Sequence, residues 1–217
     1  MSAEPVGVET PLGPGRLFLD LAPAPVATLV LGHGAGGGVD AVDLALLARG
    51  LPERGVSVVR FEQPWRTAGR KVAVAPPRLD EGWRAAVGWL TAQAWCTDRL
   101  FFGGRSAGAR VACRTATEFA VAGVVCLAFP LHPPGRPEVS RAAELLTPTA
   151  PRLVLQGTQD AFGGPDQVRA VVGAAEVHVV DLPGADHGFR VARSAAFGPA
   201  ALRAAVLETV HTFVTLG

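Results

Sequence analysis

The sequence predicts an α/β fold with a mostly parallel central sheet and helices on both faces, and three observations carry that prediction. Short apolar runs alternate with longer stretches of helical spacing along the chain, the order that a parallel sheet with crossover helices requires. Several of these runs, such as residues 27–31 and 123–129, are apolar at consecutive rather than alternate positions, which suits strands covered on both faces. Hydrophobic residues make up 49% of the 217 positions and charged residues 18%. That composition supplies one sizeable core and is not that of a disordered chain.

Residues 16–21 form the first expected strand. Residues 27–31 form the second, which runs into a glycine cluster. Residues 40–54 carry Val42, Leu44, Leu46, Leu47 and Leu51 at helical spacing, with Asp40 placed to cap that helix. A strand over 56–61 leads into a Pro/Arg/Gly-rich loop over 63–77. A helix over 79–94 follows, in which Trp83 and Trp89 are expected to pack on the core. Next come a strand over 99–102, a helix over 107–119 and a buried strand over 123–129. Residues 131–151 read as an irregular excursion with a short helical piece over 141–146. A strand over 152–155, a helix over 165–172, a strand over 177–180 and a helix over 198–215 complete the order. No internal repeat or linker divides it, so one domain over residues 1–217 is expected.

The formal net charge is +1, and Lys71 is the one lysine among 20 basic residues. No strong field favours nucleic acid or an anionic membrane. Cys96, Cys113 and Cys126 are odd in number, far apart and without metal-ligand spacing, and they read as small buried residues. Residues 1–15 lack a positive region followed by an apolar run, so no signal peptide is expected. The longest apolar run, 119–129, is too short to span a bilayer. The expectation is a cytoplasmic protein.

In a parallel sheet, ligands bind beyond the carboxyl ends of the strands, so the loops there are where chemistry is sought. Gly104-Arg105-Ser106-Ala107-Gly108 stands between an expected strand and an expected helix. A nucleophile on so sharp a turn sits in a strained backbone, with strand and helix passing so closely that only small residues fit beside it. Ser106 also gains from the positive end of the helix that follows. The plain alternative is a tight turn with Ser106 as a helix cap.

A serine nucleophile needs a base, and the base needs an orienting group. His187, in Leu182-Pro-Gly-Ala-Asp-His-Gly-Phe189, follows a strand and is the expected base; His178 falls within a strand and His211 within the last helix. Asp160, in Gln156-Gly-Thr-Gln-Asp160, also follows a strand and is the expected acid. Asp186 adjoins His187, and side chains of adjacent residues point apart. The loop Gly32-His33-Gly34-Ala35-Gly36-Gly37-Gly38 is suited to turning backbone amides toward one point. The amides of Ala35 and Ala107 are the expected oxyanion donors, and His33 is read as bracing the loop. The loop lacks the Lys-Ser/Thr ending of a phosphate-binding loop and the spaced dinucleotide fingerprint. Neither a cofactor nor a metal is expected.

Together the His-Gly-Ala-Gly-Gly loop, Gly-Gly-Arg-Ser-Ala-Gly-Ala-Arg, Gln-Gly-Thr-Gln-Asp and Gly-Ala-Asp-His-Gly-Phe resemble the α/β-hydrolase superfamily. More narrowly, the chain looks like small bacterial dienelactone-hydrolase-like members, which are similar to the hydrolase-like domain of the testis-expressed and KAT8 NSL-complex regulatory-subunit family. Residues 60–70 and 129–135 also look typical of that group. The resemblance runs from about residue 29 to the C-terminus. It implies the α/β-hydrolase fold with a minimal or absent cap, and a nucleophile, acid and base at Ser106, Asp160 and His187. Dienelactone hydrolases use a cysteine nucleophile, so the serine here does not imply their substrate.

Three further residues are read as substrate-binding candidates. His132, in the loop after the strand beside the elbow, either contacts substrate or supports its loop. Arg66, with Trp65 and Arg70, lines the mouth of the site or lies on a solvated loop. Arg105 binds a substrate carboxylate or phosphate, or pairs with a nearby acid. The leading expectation is a serine hydrolase acting on a small-molecule ester, thioester or related acyl carbonyl. The alternative is a weak or inactive hydrolase-fold protein serving as a binding module. A protein partner or homo-oligomer is left open by the sequence.

Overall fold

A computed structural model describes residues 4–216; residues 1–3 of the Pro/Gly-rich N-terminal stretch lie outside them. In chain order the elements are β1 (Val6–Val8), β2 (Gly15–Asp20), β3 (Ala27–Gly32), α1 (Val42–Gly50), β4 (Val56–Glu62), α2 (Pro64–Thr67), α3 (Pro76–Thr91), β5 (Leu100–Arg105), α4 (Ala107–Thr115), β6 (Gly123–Leu127), α5 (Ala142–Leu146), β7 (Arg152–Gly157), α6 (Pro165–Val172), β8 (Val177–Leu182) and α7 (Pro199–Leu216). Among the described residues the strands form one eight-stranded sheet in the order β1-β2-β4-β3-β5-β6-β7-β8. β1–β2 and β2–β4 pair antiparallel, and every other pair is parallel.

That order decides which face each helix covers. From β3 the chain steps one way to β4, then back past β3 to β5 and onward to β8. Parallel crossovers are right-handed, so steps in opposite directions lay their helices on opposite faces. Accordingly Leu44 and Leu47 of α1 share a core layer with Leu202, Val206, Val210 and Val214 of α7. The four α7 residues recur every fourth position, one stripe of a helix. Leu79 and Trp83 of α3, Val111 of α4, Leu145 of α5 and Val168 of α6 fill the layer on the other face. β3, between them, is buried at every residue. The reversal of direction falls between β3 and β5, so the crevice beyond their carboxyl ends is the expected ligand position.

The expected helices and strands are all present, with shifts that have local causes. The helix expected over 40–54 begins at Val42 with Ala41 as its N-cap, and Asp40 makes no cap; the Asp40 side chain is 94% exposed. The helix expected from residue 79 begins at Pro76, because proline is well suited to a first helical turn. The loop expected over 63–77 contains α2. The strand expected over 99–102 continues through both glycines to Arg105. β1 was not legible: three residues on a sheet edge show no period. Trp83 is fully buried and Trp89 half-buried. Cys113 and Cys126 are buried, whereas Cys96 is half-exposed, and all three are free. No helix among the described residues is long and apolar enough to cross a membrane.

Two arginines on α4 tie the excursion before β7 to the body of the protein. Arg110 grips Glu144 of α5 through two hydrogen bonds of 2.7 and 2.6 Å. Arg114 grips Asp80 of α3 in the same way and gives a third bond, 2.8 Å long, to Glu144. Burial alone would raise the Glu144 pKa, but its bonds to Arg110 and Arg114 outweigh that and hold it below the ordinary value. The position of α5, and of Arg141 at its N-terminal cap, therefore follows from α4, which begins at the elbow.

Candidate active site

Ser106 joins β5 directly to α4 and has φ 52°, ψ −110°, a left-handed conformation that side chains other than glycine rarely adopt. The turn is held by Ser106 N–H donating to Leu127 O at 3.0 Å and by Arg110 N–H donating to Ser106 O at 3.2 Å. Close packing explains the flanking glycines. A Cβ on Gly104 would lie 2.6 Å from both Gly32 O and Gly108 C, and one on Gly108 would lie 2.2 Å from Gly32 O. Both obstacles are backbone atoms of β3 and α4, which cannot turn aside. Gly108→Ala is therefore expected to destabilise the fold by about 3 kcal/mol or more, read as a lowered denaturant midpoint. A loss under ~1 kcal/mol would contradict the close approach.

The expected acid and base stand on two loops laced together beyond β7 and β8. Thr158 N–H donates to Leu182 O at 3.1 Å and Gln159 N–H to Ala185 O at 3.0 Å. The Thr158 hydroxyl accepts from Gly184 N–H at 2.8 Å. His187 Nδ1 stands 2.8 Å from Asp160 Oδ2, and its Nε2 stands 3.0 Å from Ser106 Oγ. With Nδ1–H donating to the carboxylate, Nε2 is left to accept the serine proton. The Asp160 side chain is fully buried. Its Oδ1 accepts from Phe162 N–H at 2.8 Å, and its Oδ2 accepts also from Gln156 Nε2 at 2.9 Å. The Phe162 ring lies 4.1 Å from the imidazole, centroid to centroid, and restricts its rotation. Asp186 instead accepts from Gly188 and Arg190 N–H and shapes the turn.

Arg105 resolves as a brace. Its guanidinium meets Asp43 Oδ2 of α1 at 2.5 Å and donates to the carbonyl oxygen of His187. The Phe189 ring lies 5.4 Å away. One planar fork thus joins the elbow, α1 and the His187 loop. Lysine offers a single point charge and cannot span both acceptors. Arg105→Lys is expected to lower turnover about 10- to 100-fold, since a misplacement near 1 Å has that cost, with most of the thermal stability kept. Steady-state kinetics beside a melt check this, and unchanged turnover would remove the bracing role.

A cavity of about 830 Å³ opens over Ser106 and His187, with Ala35 and Ala107 in its wall. Among the described residues the backbone N–H of neither alanine donates to a protein acceptor, so both remain able to bind an oxyanion. His33 is buried; its Nδ1–H donates to Gly34 O at 2.9 Å, and its Nε2 accepts from Gln63 N–H at 3.2 Å. Burial lowers its pKa. It is a neutral brace beneath the glycine loop.

For two of the substrate-binding candidates the structure favours the other of the two readings the sequence offered. His132 is buried and does not line the cavity. Its backbone N–H donates to Phe162 O at 3.1 Å, its ring Nδ1 lies 2.9 Å from Pro133 O, and its Nε2 lies against Gly163, so it supports the Phe162 loop. Arg66 stands beside Gly38 and is not among the residues that line this cavity. Arg105 does border it but is already engaged. Gln156 was missed. It is fully buried at the end of β7, and its Nε2 faces Asp160 Oδ2, Phe129 O at 3.2 Å and Gly163 O at 2.7 Å. A lone glutamine closing an apolar strand was the available signal.

Comparison with known proteins bears on the fold. The family described as "Alpha/beta hydrolase domain" matches residues 25–215. An alpha-beta serine hydrolase homologue from Coxiella burnetii superposes with a TM-score of 0.77 at 23% identity, covering 97% of this chain and 98% of that one. An α/β serine hydrolase without lid from Xanthomonas campestris gives 0.73 at 24% identity, covering 98% and 95%. Est1E from Butyrivibrio proteoclasticus gives 0.77 at 15% identity, covering 98% and 99%.

Proposed function

We propose, starting from a chain that belongs to the alpha/beta hydrolase family, that this protein is a serine hydrolase of an ester, thioester or related acyl carbonyl. The observation that carries the reading is the line from Ser106 Oγ through His187 to Asp160, with bonds of 3.0 and 2.8 Å. In the proposed reaction Ser106 Oγ attacks the carbonyl carbon while His187 Nε2 takes its proton. Asp160 stabilises the imidazolium. The amides of Ala35 and Ala107 hold the negative oxygen. As the bond to the leaving group breaks, His187 returns the proton to it. Water then repeats the sequence on the acyl-enzyme and releases the acid.

The strained backbone at Ser106 supports this, because strain of that kind is retained where the surroundings fix a side chain for use. The known proteins agree in kind: ferulic acid is bound to Est1E in one structure, and another relative in fold is an esterase domain from Rhodothermus marinus. The narrower dienelactone-hydrolase-like resemblance fits the same four loops, with serine where those enzymes carry cysteine. Among the described residues no cap covers the cavity, since the excursion between β6 and β7 contributes only the five-residue α5. Turnover of 4-nitrophenyl acetate, butyrate and an acetyl thioester tests the proposal. Hydrolysis above background for at least one is expected, and none for all three would count against it.

A further inference from the structure

The cavity over Ser106 carries a charge that the protein itself does not neutralise. Five arginines and two aspartates line it. Two of the arginines are spoken for: Arg105 by Asp43 and Arg110 by Glu144. The second lining aspartate, Asp40, points to solvent, 3.8 Å from Arg60. The guanidinium groups of Arg141, Arg190 and Arg193 form no ion pair among the described residues. Arg190 and Arg193 are exposed and cost little to leave unpaired. Arg141 differs. It is half-buried, its Nη1 donates only to Pro130 O at 3.0 Å, and α5 is held in place by the Arg110 and Arg114 bonds to Glu144. Burial first, then the charge of Arg110, makes its protonated state less favourable than usual, and the charge of Glu144 offsets this only in part. The nearby carboxylate, Glu144, is engaged by Arg110 and Arg114, so among the described residues this cavity-lining guanidinium has no ion pair of its own.

We infer that the substrate supplies the counter-ion: the ester or thioester bears an anionic carboxylate or phosphate group, bound by Arg141 with help from Arg190 and Arg193. This rests on the hydrolase reading and deepens it. A charge-assisted bond to guanidinium is about twice as strong as a neutral one, and the convergent positive field raises the encounter rate of an anion. The preference should weaken with salt.

The test compares kcat/KM for 4-nitrophenyl butyrate and for the mono-4-nitrophenyl ester of glutaric acid, at about 10 mM ionic strength where screening is weak. The wild type is expected to favour the anionic ester about tenfold. Arg141→Gln should reduce that ratio most of the way to one, and Arg141→Lys, which keeps the charge, should retain much of it. Equal rates for the two esters in the wild type, or equal losses on both in Arg141→Gln, would overturn the inference while leaving the hydrolase reading intact. If neither ester is cleaved, that reading fails separately, and anion binding is decided by calorimetry. Saturable binding of glutarate or of glycerol 3-phosphate that weakens in Arg141→Gln supports the inference and separates carboxylate from phosphate. No saturable binding of either overturns it.

Discussion

Ser106→Ala is expected to lower kcat for any ester the wild type cleaves by about 10⁶-fold, leaving only what the oxyanion donors and substrate binding supply without a nucleophile. The backbone at Ser106 provides a second, independent readout. At φ 52° and ψ −110° a Cβ is strained, and strain of this kind costs about 1–3 kcal/mol. Alanine keeps the Cβ and should melt with the wild type. Glycine removes it, and even after the larger conformational entropy of its unfolded chain it should gain about 1 kcal/mol. For a chain of this size that is about 2–4 °C in Tm. Ser106→Gly is thus expected to be as inactive as Ser106→Ala and more stable than it. A glycine variant that melts below the alanine variant would show that the elbow is not strained.

Asp160→Asn should cost about 10⁴-fold in turnover. Three donors converge on the carboxylate: Phe162 N–H, Gln156 Nε2 and His187 Nδ1. An asparagine has one oxygen and one NH2, so at least one donor must face another donor. If the NH2 faces His187, the ring takes the opposite tautomer, with its proton on Nε2, and can no longer accept from Ser106. The group is buried, so the mismatched donor also costs about 1–3 kcal/mol of stability. Kinetics beside chemical denaturation measure both losses. A turnover loss under about tenfold, which corresponds to only ~1.4 kcal/mol, would mean that the imidazole is oriented by something else.

That Ser106, Asp160 and His187 meet was legible because each lies in the loop or turn after a strand of a parallel sheet, and such strands present their carboxyl ends together. The loop at Ala35 was legible for the same reason. What escaped depends on how elements turn about their own axes. Asp40 and Asp43 both stand near the start of α1, and the sequence favours Asp40 as its cap. Burial of Leu44 and Leu47 rotates the helix so that Asp43 reaches Arg105 while Asp40 meets solvent. His132 and Arg66 were placed near the site by loop position, yet the direction of a loop side chain is set by the next loop to pack on it. For His132 that is the Phe162 loop. Gln156 was visible as a polar residue in an apolar run, but the three oxygens around its amide come from separate segments that only the fold assembles.

The central claim is that Ser106 is a nucleophile activated by His187. The most direct measurement is the intact mass of the protein after treatment with a fluorophosphonate, followed by peptide mapping. The expected result is a single phosphonyl adduct on Ser106 in the wild type, formed far more slowly in Asp160→Asn and not at all in Ser106→Ala. A wild type that stays unlabelled, or an adduct that persists in Ser106→Ala, would contradict it.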